Sequence, residues 1–294
     1  MQFFRPIRRR PVSDGLPRPK AGRPFGIRIG ISVGALSEAL ERLTRAGEGW
    51  RAEPGEAWRQ GQTLYGGLSA AFAVKAAGLD HPDLPMLRSA QFAFVGPAVG
   101  VLDYRTTMVR QGKSSAFVSV AAVGEAGPAT QALLCYGRDR DSAYSYDDAP
   151  MPLDPASRDA GEPFFQVRGV PGFTVNFEGL LVEGRPPGSG ADKPFLRVWV
   201  RHRGGAPDGV ASLIALGDAL PPGALSMFGS FAPVSTMTWS VELPTGGDFP
   251  GGDWYLFETR GETVGNGYSV QDMKMWHESG RLALVGRQTV AVYG

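Results

Sequence analysis

The sequence predicts an α+β protein made of two fused copies of one unit, each an antiparallel sheet wrapped around a central apolar helix. Three observations lead there. Residues 63–78 (TLYGGLSAAFAVKAAG) are nearly apolar on every side, and a helix apolar all round must be buried all round. Strand-like runs punctuated by turn residues follow it. A stretch of the second half also lies over one of the first at a constant offset, the mark of an internal repeat.

Composition fits this reading. The chain has 294 residues, 43% apolar and 20% charged, enough for one large domain or two ordinary ones with a sizeable core. Its 30 basic and 29 acidic residues leave a net charge of +1, which offers nothing to nucleic acid. The single cysteine, Cys135, excludes a disulfide framework and any multi-cysteine metal site. His81, His202 and His277 are far apart, without the spacing of a zinc centre. Neither a cofactor nor a metal is therefore expected. No apolar run reaches the roughly 18 residues of a membrane helix, and none has signal-peptide character, so a cytoplasmic location is expected.

Taken in order, residues 1–30 form a basic, proline-rich arm whose Arg5, Arg8, Arg9, Arg10, Arg18, Lys20, Arg23 and Arg28 face one acid, Asp14. Proline density forbids a long helix there. A solvated, poorly ordered arm is predicted; the alternative is a contact for an acidic partner such as a substrate phosphate.

Residues 31–138 form the first copy. Leu36, Leu40 and Leu43 at helical spacing predict an amphipathic helix over 33–45, and 63–78 is the central helix. Strands are predicted at 87–95, 101–110, 114–123 and 129–137, arranged as a meander. Residues 139–164 are acidic and proline-rich without a period, and read as a linker.

Residues 165–294 form the second copy. Strands are predicted at 173–183 and 195–203, then a helix over 209–219 with Asp208 as N-cap and Pro221 and Pro222 as its stop. Strands at 235–243, 254–264, 268–277 and 282–292 follow. Residues 112–127 lie over 265–280 at an offset of 153, both stretches beginning and ending in glycine. A fused pseudo-dimer is the economical reading.

The second copy carries polar residues that the first lacks. Asp218 ends an almost wholly apolar helix. Buried, such a carboxyl would have a raised pKa suited to a general base; the alternative is an exposed helix-terminal acid. In the last strand Gln288 falls on the face with Leu282, Leu284, Val290 and Val292, the one that should cover the helix. Its counterpart at the same offset is Cys135. A buried glutamine needs partners for both ends of its amide, and a tie to backbone would satisfy it as well as a site would. The strand 234–243 adds the hydroxyls of Ser235, Thr236 and Thr238, of which at least one faces the helix.

These segments resemble the double-hotdog acyl-CoA thioesterases, the bacterial type II thioesterase-like family. TLYGGLSAAFAVKAAG is similar to that family's GG-containing helix. LRSAQFAFVGPAVG and RQGKSSAFVSVAAVGEAGPA are similar to the strands after it. ALGDAL, VSTMTWSVELP and GRQTVAV are similar to the segments carrying its aspartate, hydroxyl and glutamine. The likeness runs from about residue 33 to the C-terminus, with Glu242, Leu243 and Pro244 standing where the family has His-Arg-Pro.

The resemblance implies two fused hotdog domains and hydrolysis of acyl-CoA thioesters, a CoA ester being the substrate and no cofactor being needed. It implies Asp218 as base, with Thr236 and Gln288 orienting the water. Depending on where the strand is gapped, the hydroxyl position falls on Thr236, Ser235 or Val234. It implies a place in lipid metabolism and a homo-oligomer, a dimer of double hotdogs. Hydrolysis of an activated thioester needs only a held water, a base and donors for the oxyanion, such as the N–H groups of a helix N-terminus. The competing readings are a non-catalytic acyl-CoA or acyl-lipid binding module and a hotdog enoyl-CoA hydratase with a paired Asp and His. A serine hydrolase lacks its G-x-S-x-G.

Overall fold

The computed structural model describes residues 33–165, 170–245 and 249–293; the arm expected over 1–30 lies outside the described residues. In the first half α1 (Leu36–Glu41) leads into the hairpin of β1 (Leu43–Ala46) and β2 (Gly49–Ala52). The two-residue strands β3 (Arg59–Gln60) and β4 (Thr63–Leu64) then deliver the chain to α2 (Gly66–Asp80). After α2 come β5 (Leu87–Phe94), β6 (Leu102–Gln111), β7 (Ser115–Gly124) and β8 (Gly127–Gly137).

The second half repeats the order. β9 (Glu162–Pro163), β10 (Phe177–Gly184) and β11 (Phe195–His202) precede α3 (Val210–Leu216). β12 (Val234–Glu242), β13 (Tyr255–Gly265), β14 (Tyr268–His277) and β15 (Leu282–Val292) follow it.

One sheet of 13 strands holds both halves, in the order β1-β2-β6-β7-β8-β5-β12-β15-β14-β13-β11-β10-β9. The order reads as a mirror about its centre, where β5 pairs antiparallel with β12. Ala90 faces Val241 and Phe92 faces Trp239 on either side of the Gln91–Ser240 pair, so a pseudo-twofold axis passes there. Two hotdog units share this sheet, and their helices α2 and α3 pack side by side within it.

Small residues make that packing feasible. From Gly67 to Ala77 every α2 side chain except Lys75 is buried, and Lys75 reaches out to donate to the Leu40 carbonyl at 2.7 Å. The sheet's inner face supplies Phe92, Val118, Leu134, Trp239 and Leu284 to the same core.

Several expectations need correction. The first helix ends at Glu41, and Leu43–Ala46 is a strand; the turn at Gly47 (φ 61°) folds it onto β2, while Leu36, Leu40 and Leu43 are buried as their spacing implied. The strands after α2 are not a simple meander, because β5 pairs with β8 instead of β6. The run from 173 begins as a 3-10 turn, Gly172–Asn176, before β10. Asp208 does not cap α3: Gly209 precedes the helix with φ 113°, and the Asp208 carboxylate accepts the Gly251 N–H at 2.9 Å instead.

The offset of 153 holds for β7 and β14, whose buried Ala116, Val118, Val120 and Ala122 match Ser269, Gln271, Met273 and Met275. It slips by one residue in the last strand. Val118 pairs with Leu134 where Gln271 pairs with Gln288, so the counterpart of Gln288 is Leu134, not Cys135. A one-residue slip turns a strand's faces over, and Cys135 accordingly lies on the outer face, half-buried.

Residues 139–154 contain no helix or strand, yet they are anchored. Trp276 Nε1 donates to the Ala149 carbonyl at 2.7 Å, and Ala149, Met151 and Leu153 pack against Trp199 and Leu256 on the sheet's outer face. Among the described residues no helix is long and apolar enough to cross a membrane.

Candidate active site

Asp218 stands two residues beyond the C-terminal end of α3. Gly217 ends that helix in an αR conformation where a Cβ would meet Leu284 Cδ1 at 2.9 Å, so the absent side chain lets the chain run close against β15. Pro221 and Pro222 then prevent the helix from resuming. Asp218 is left facing the N-terminus of α2, from the other half of the molecule. A Cβ on Gly66 would come 2.9 Å from Asp218 Oδ2, and the Gly67 N–H bonds the carboxyl. Tyr65, just before α2, fixes the arrangement by donating its hydroxyl to the Ala215 carbonyl of α3 at 2.7 Å.

Gln288 Nε2 donates to Asp218 Oδ1 at 2.8 Å. The two side chains expected to share a hollow are thus in direct contact. Behind them stands a residue the sequence reading missed. Gln271 Nε2 donates to Gln288 Oε1 at 2.7 Å, and Gln271 Oε1 accepts the Gly223 backbone N–H at 3.0 Å. Gln271 and Gln288 are both buried, on adjacent strands at paired positions.

The hydroxyl question is narrowed by register. β12 pairs Trp239 with Gln288 and Thr236 with Val290, and a bulge at Met237 takes up the odd residue between them. Opposed residues of an antiparallel pair share a face, so Thr236 lies on the face of Gln288, two pairs along. Ser235 opposes Ala291 and is exposed. Val234, Ser235 and Thr236 all line the cavity that Asp218 and Gln288 open into; among the described residues Thr236 has no hydrogen bond to either of them.

That cavity has a volume of about 770 Å³. Its walls are mainly apolar, with Phe94 from the first half, Phe164 from the inter-domain stretch, and Phe165, Phe173, Leu225 and Phe231 from the second half. Among the described lining residues Asp218 is the only charged side chain, and no histidine is present. His202, the partner a hydratase reading would need, is elsewhere: it bonds the Ser212 carbonyl through Nε2, and burial pushes its pKa down to about 4.

Burial raises the pKa of Asp218 to about 7, against the opposing pull of the Gln288 and Gly67 N–H groups. Its charge in turn adds to the burial that raises Tyr65 well above the usual phenol range. The helix dipole of α2 supplies a positive end where the carboxylate sits. A base poised near neutrality, a water-accessible apolar hollow and helix N–H groups now occupy one place.

Gln271 carried a readable signal. On the alternating inner face of β14 it stands where the first copy has Val118, so the comparison that singled out Gln288 would have found it. The Gly66 and Gly67 pair could not be tied to Asp218 from sequence, because the contact crosses between the two halves. A separate cluster, Asp253, His277 and Glu278, brings its ligand atoms within 4.8 Å of one another, but lies outside the cavity lining. His277 bonds Asp253 and Ser279, and Glu278 pairs with Arg158.

Comparison with known proteins places both halves in one family. The model of the acyl-CoA thioesterase N-terminal domain matches residues 54–137, and that of the acyl-CoA thioesterase C-terminal domain matches residues 147–292. No curated protein matches the chain. Among solved structures, a conserved hot dog protein of unknown function from Alicyclobacillus acidocaldarius is 21% identical with a TM-score of 0.77, over 90% of this chain and 99% of its own. The tesB protein of Mycobacterium avium subsp. paratuberculosis is 18% identical with a TM-score of 0.70, over 90% and 100% respectively. Acyl-CoA thioesterase II TesB2 of Mycobacterium marinum is 18% identical with a TM-score of 0.66, over 88% and 99%. At these identities the likeness is one of fold.

Proposed function

Because the chain belongs to the acyl-CoA thioesterase family and is a thioester hydrolase, we propose that it hydrolyses acyl-CoA through a water activated by Asp218. Asp218 takes a proton from the water as the oxygen attacks the thioester carbonyl. The tetrahedral intermediate then expels the CoA sulfur, which receives that proton, leaving the free acid and the CoA thiol. Gln288 holds the carboxylate through one amide hydrogen and has a second with which to orient the water. Thr236, on the same face, is the hydroxyl that completes the water's position. The first-turn N–H groups of α2 other than that of Gly67 are donors for the developing oxyanion. The acyl chain lies in the apolar cavity between sheet and helices.

The observation carrying this reading is the Gln288–Asp218 hydrogen bond inside a cavity at the N-terminus of a helix from the other half. The test is release of free CoA thiol from a panel of short- to long-chain acyl-CoAs by the wild type and Asp218→Asn. A loss of about 10³-fold or more in kcat, with the fold intact, is expected from removing a general base. Unchanged turnover would remove Asp218 from the mechanism.

A further inference from the structure

Resting on the reading of Asp218 as base, we infer that Gln271 is a positioning residue that fixes which end of the Gln288 amide faces Asp218. An amide side chain can turn over, and its two ends look alike in shape but not in chemistry. Here the choice is dictated in sequence. The Gly223 N–H can only donate, so the Gln271 atom facing it is Oε1, at 3.0 Å. That leaves Gln271 Nε2 towards Gln288, which must present Oε1 to it, at 2.7 Å. Gln288 is then left with Nε2 towards Asp218, at 2.8 Å. A backbone N–H thus sets the orientation of two buried side chains and delivers a donor to the carboxylate.

The anchor itself is rigid. Gly223 opens a 3-10 turn after Pro222, and a Cβ there would meet the Pro194 carbonyl at 2.6 Å. Without Gln271, the Gln288 carbonyl loses its buried donor and the amide is free to turn its oxygen towards Asp218. A carbonyl facing a carboxyl favours the protonated acid and opposes the base. Among the described residues no second device serves this purpose: of the groups facing Asp218, the Gly67 N–H contacts the carboxyl directly, and Tyr65 is neutral and tied to Ala215. No Lys, Arg or His lines the cavity among the described residues.

The experiment uses the full chain with Gln271→Met, which keeps the length and removes both hydrogen bonds. Gln271→Asn, shorter by a methylene and still polar, serves where Met at this position does not fold. Thiol release is measured against pH beside the wild type, Asp218→Asn and Gln288→Met. Expected is a fall in kcat of about tenfold with KM within about twofold, and an acid limb moved up by about one pH unit. Adding Gln271→Met to Gln288→Met should cost little more than Gln288→Met alone, because both remove one unit. A folded variant with wild-type kcat and limb overturns the inference. So does a lower kcat with the limb unmoved, which a packing defect alone would give. Activity retained in Asp218→Asn would instead overturn the underlying reading of the base.

Discussion

Gln288 on the last strand and Asp218 beyond the third helix are joined by a 2.8 Å hydrogen bond across 70 positions of sequence, and both open into the same apolar cavity. The bond couples two opposing influences on one carboxyl. Burial favours the neutral acid, and the amide N–H favours the anion. The balance leaves the pKa at about 7, where a carboxylate is basic enough to accept a proton from water and still substantially ionised.

Activity should therefore follow the ionisation of Asp218. kcat/KM for a good acyl-CoA is expected to rise through about pH 7 and to level off above it, since the proposed base works as the anion. A pH–rate profile of thiol release checks this. A plateau already reached at pH 5 would mean that the carboxyl titrates in the ordinary range and that burial does not govern it.

The same group should weaken the fold when it ionises. Its folded pKa, about 7, lies above the group's ordinary value of 3.8, so between those values the native state holds a proton that the unfolded chain has released. The favourable contribution is complete below about pH 4 and is lost as pH rises through 7. Asp218→Asn, neutral at every pH, should raise Tm by roughly 2–4 °C at pH 8 for each kcal/mol relieved, and by little at pH 4. Calorimetry at the two pH values decides it; a variant less stable than wild type at pH 8 would contradict the sign.

Gly66 is predicted to be required for turnover and not for folding. A methyl there would press on Asp218 Oδ2 at 2.9 Å and on the Phe94 ring at 3.3 Å. Alanine is otherwise a better helix residue than glycine, by up to about 1 kcal/mol in a helix interior. Gly66→Ala should keep its Tm within a few degrees and lose about 10–100-fold in kcat, as the proposed base, Asp218, is displaced. Wild-type turnover would show that the carboxyl has room to move without consequence.

What the sequence made legible follows from local physics. The all-apolar run of α2 and the alternation of β14 and β15 are periodic signals, and they revealed the wrapped helices, the repeat and Gln288. A constant offset matches Cys135 to Gln288 wrongly because strand register is set by the hairpin, and the β14–β15 turn is one residue longer than its counterpart. Asp218 could be read equally as exposed, since its burial comes from the Gly66 end of α2, a contact between halves that no local pattern encodes. Asp208 had a capping side chain, but the neighbouring Gly251 N–H engaged it first.

Thr236 is the last residue whose role can be separated by experiment. The bulge at Met237 decides which side chains of β12 join Gln288 on the inner face. By the observed register Trp239, Thr236 and Val234 do, whereas Ser235 opposes Ala291 and is exposed, although it also borders the cavity. Thr236→Val keeps the shape and removes the hydroxyl. Losing one hydrogen bond to the attacking water is worth about 1–1.5 kcal/mol, so kcat should fall about tenfold. Ser235→Ala should leave kcat within about twofold, because Ser235 borders the cavity from a position that alternates with Thr236 and opposes Ala291, out of line with Gln288. Measured side by side on one acyl-CoA, the reverse ranking would mean that the strand presents its other face to the substrate. Equal, unimpaired rates would mean that Gln288 and Asp218 hold the water without a hydroxyl.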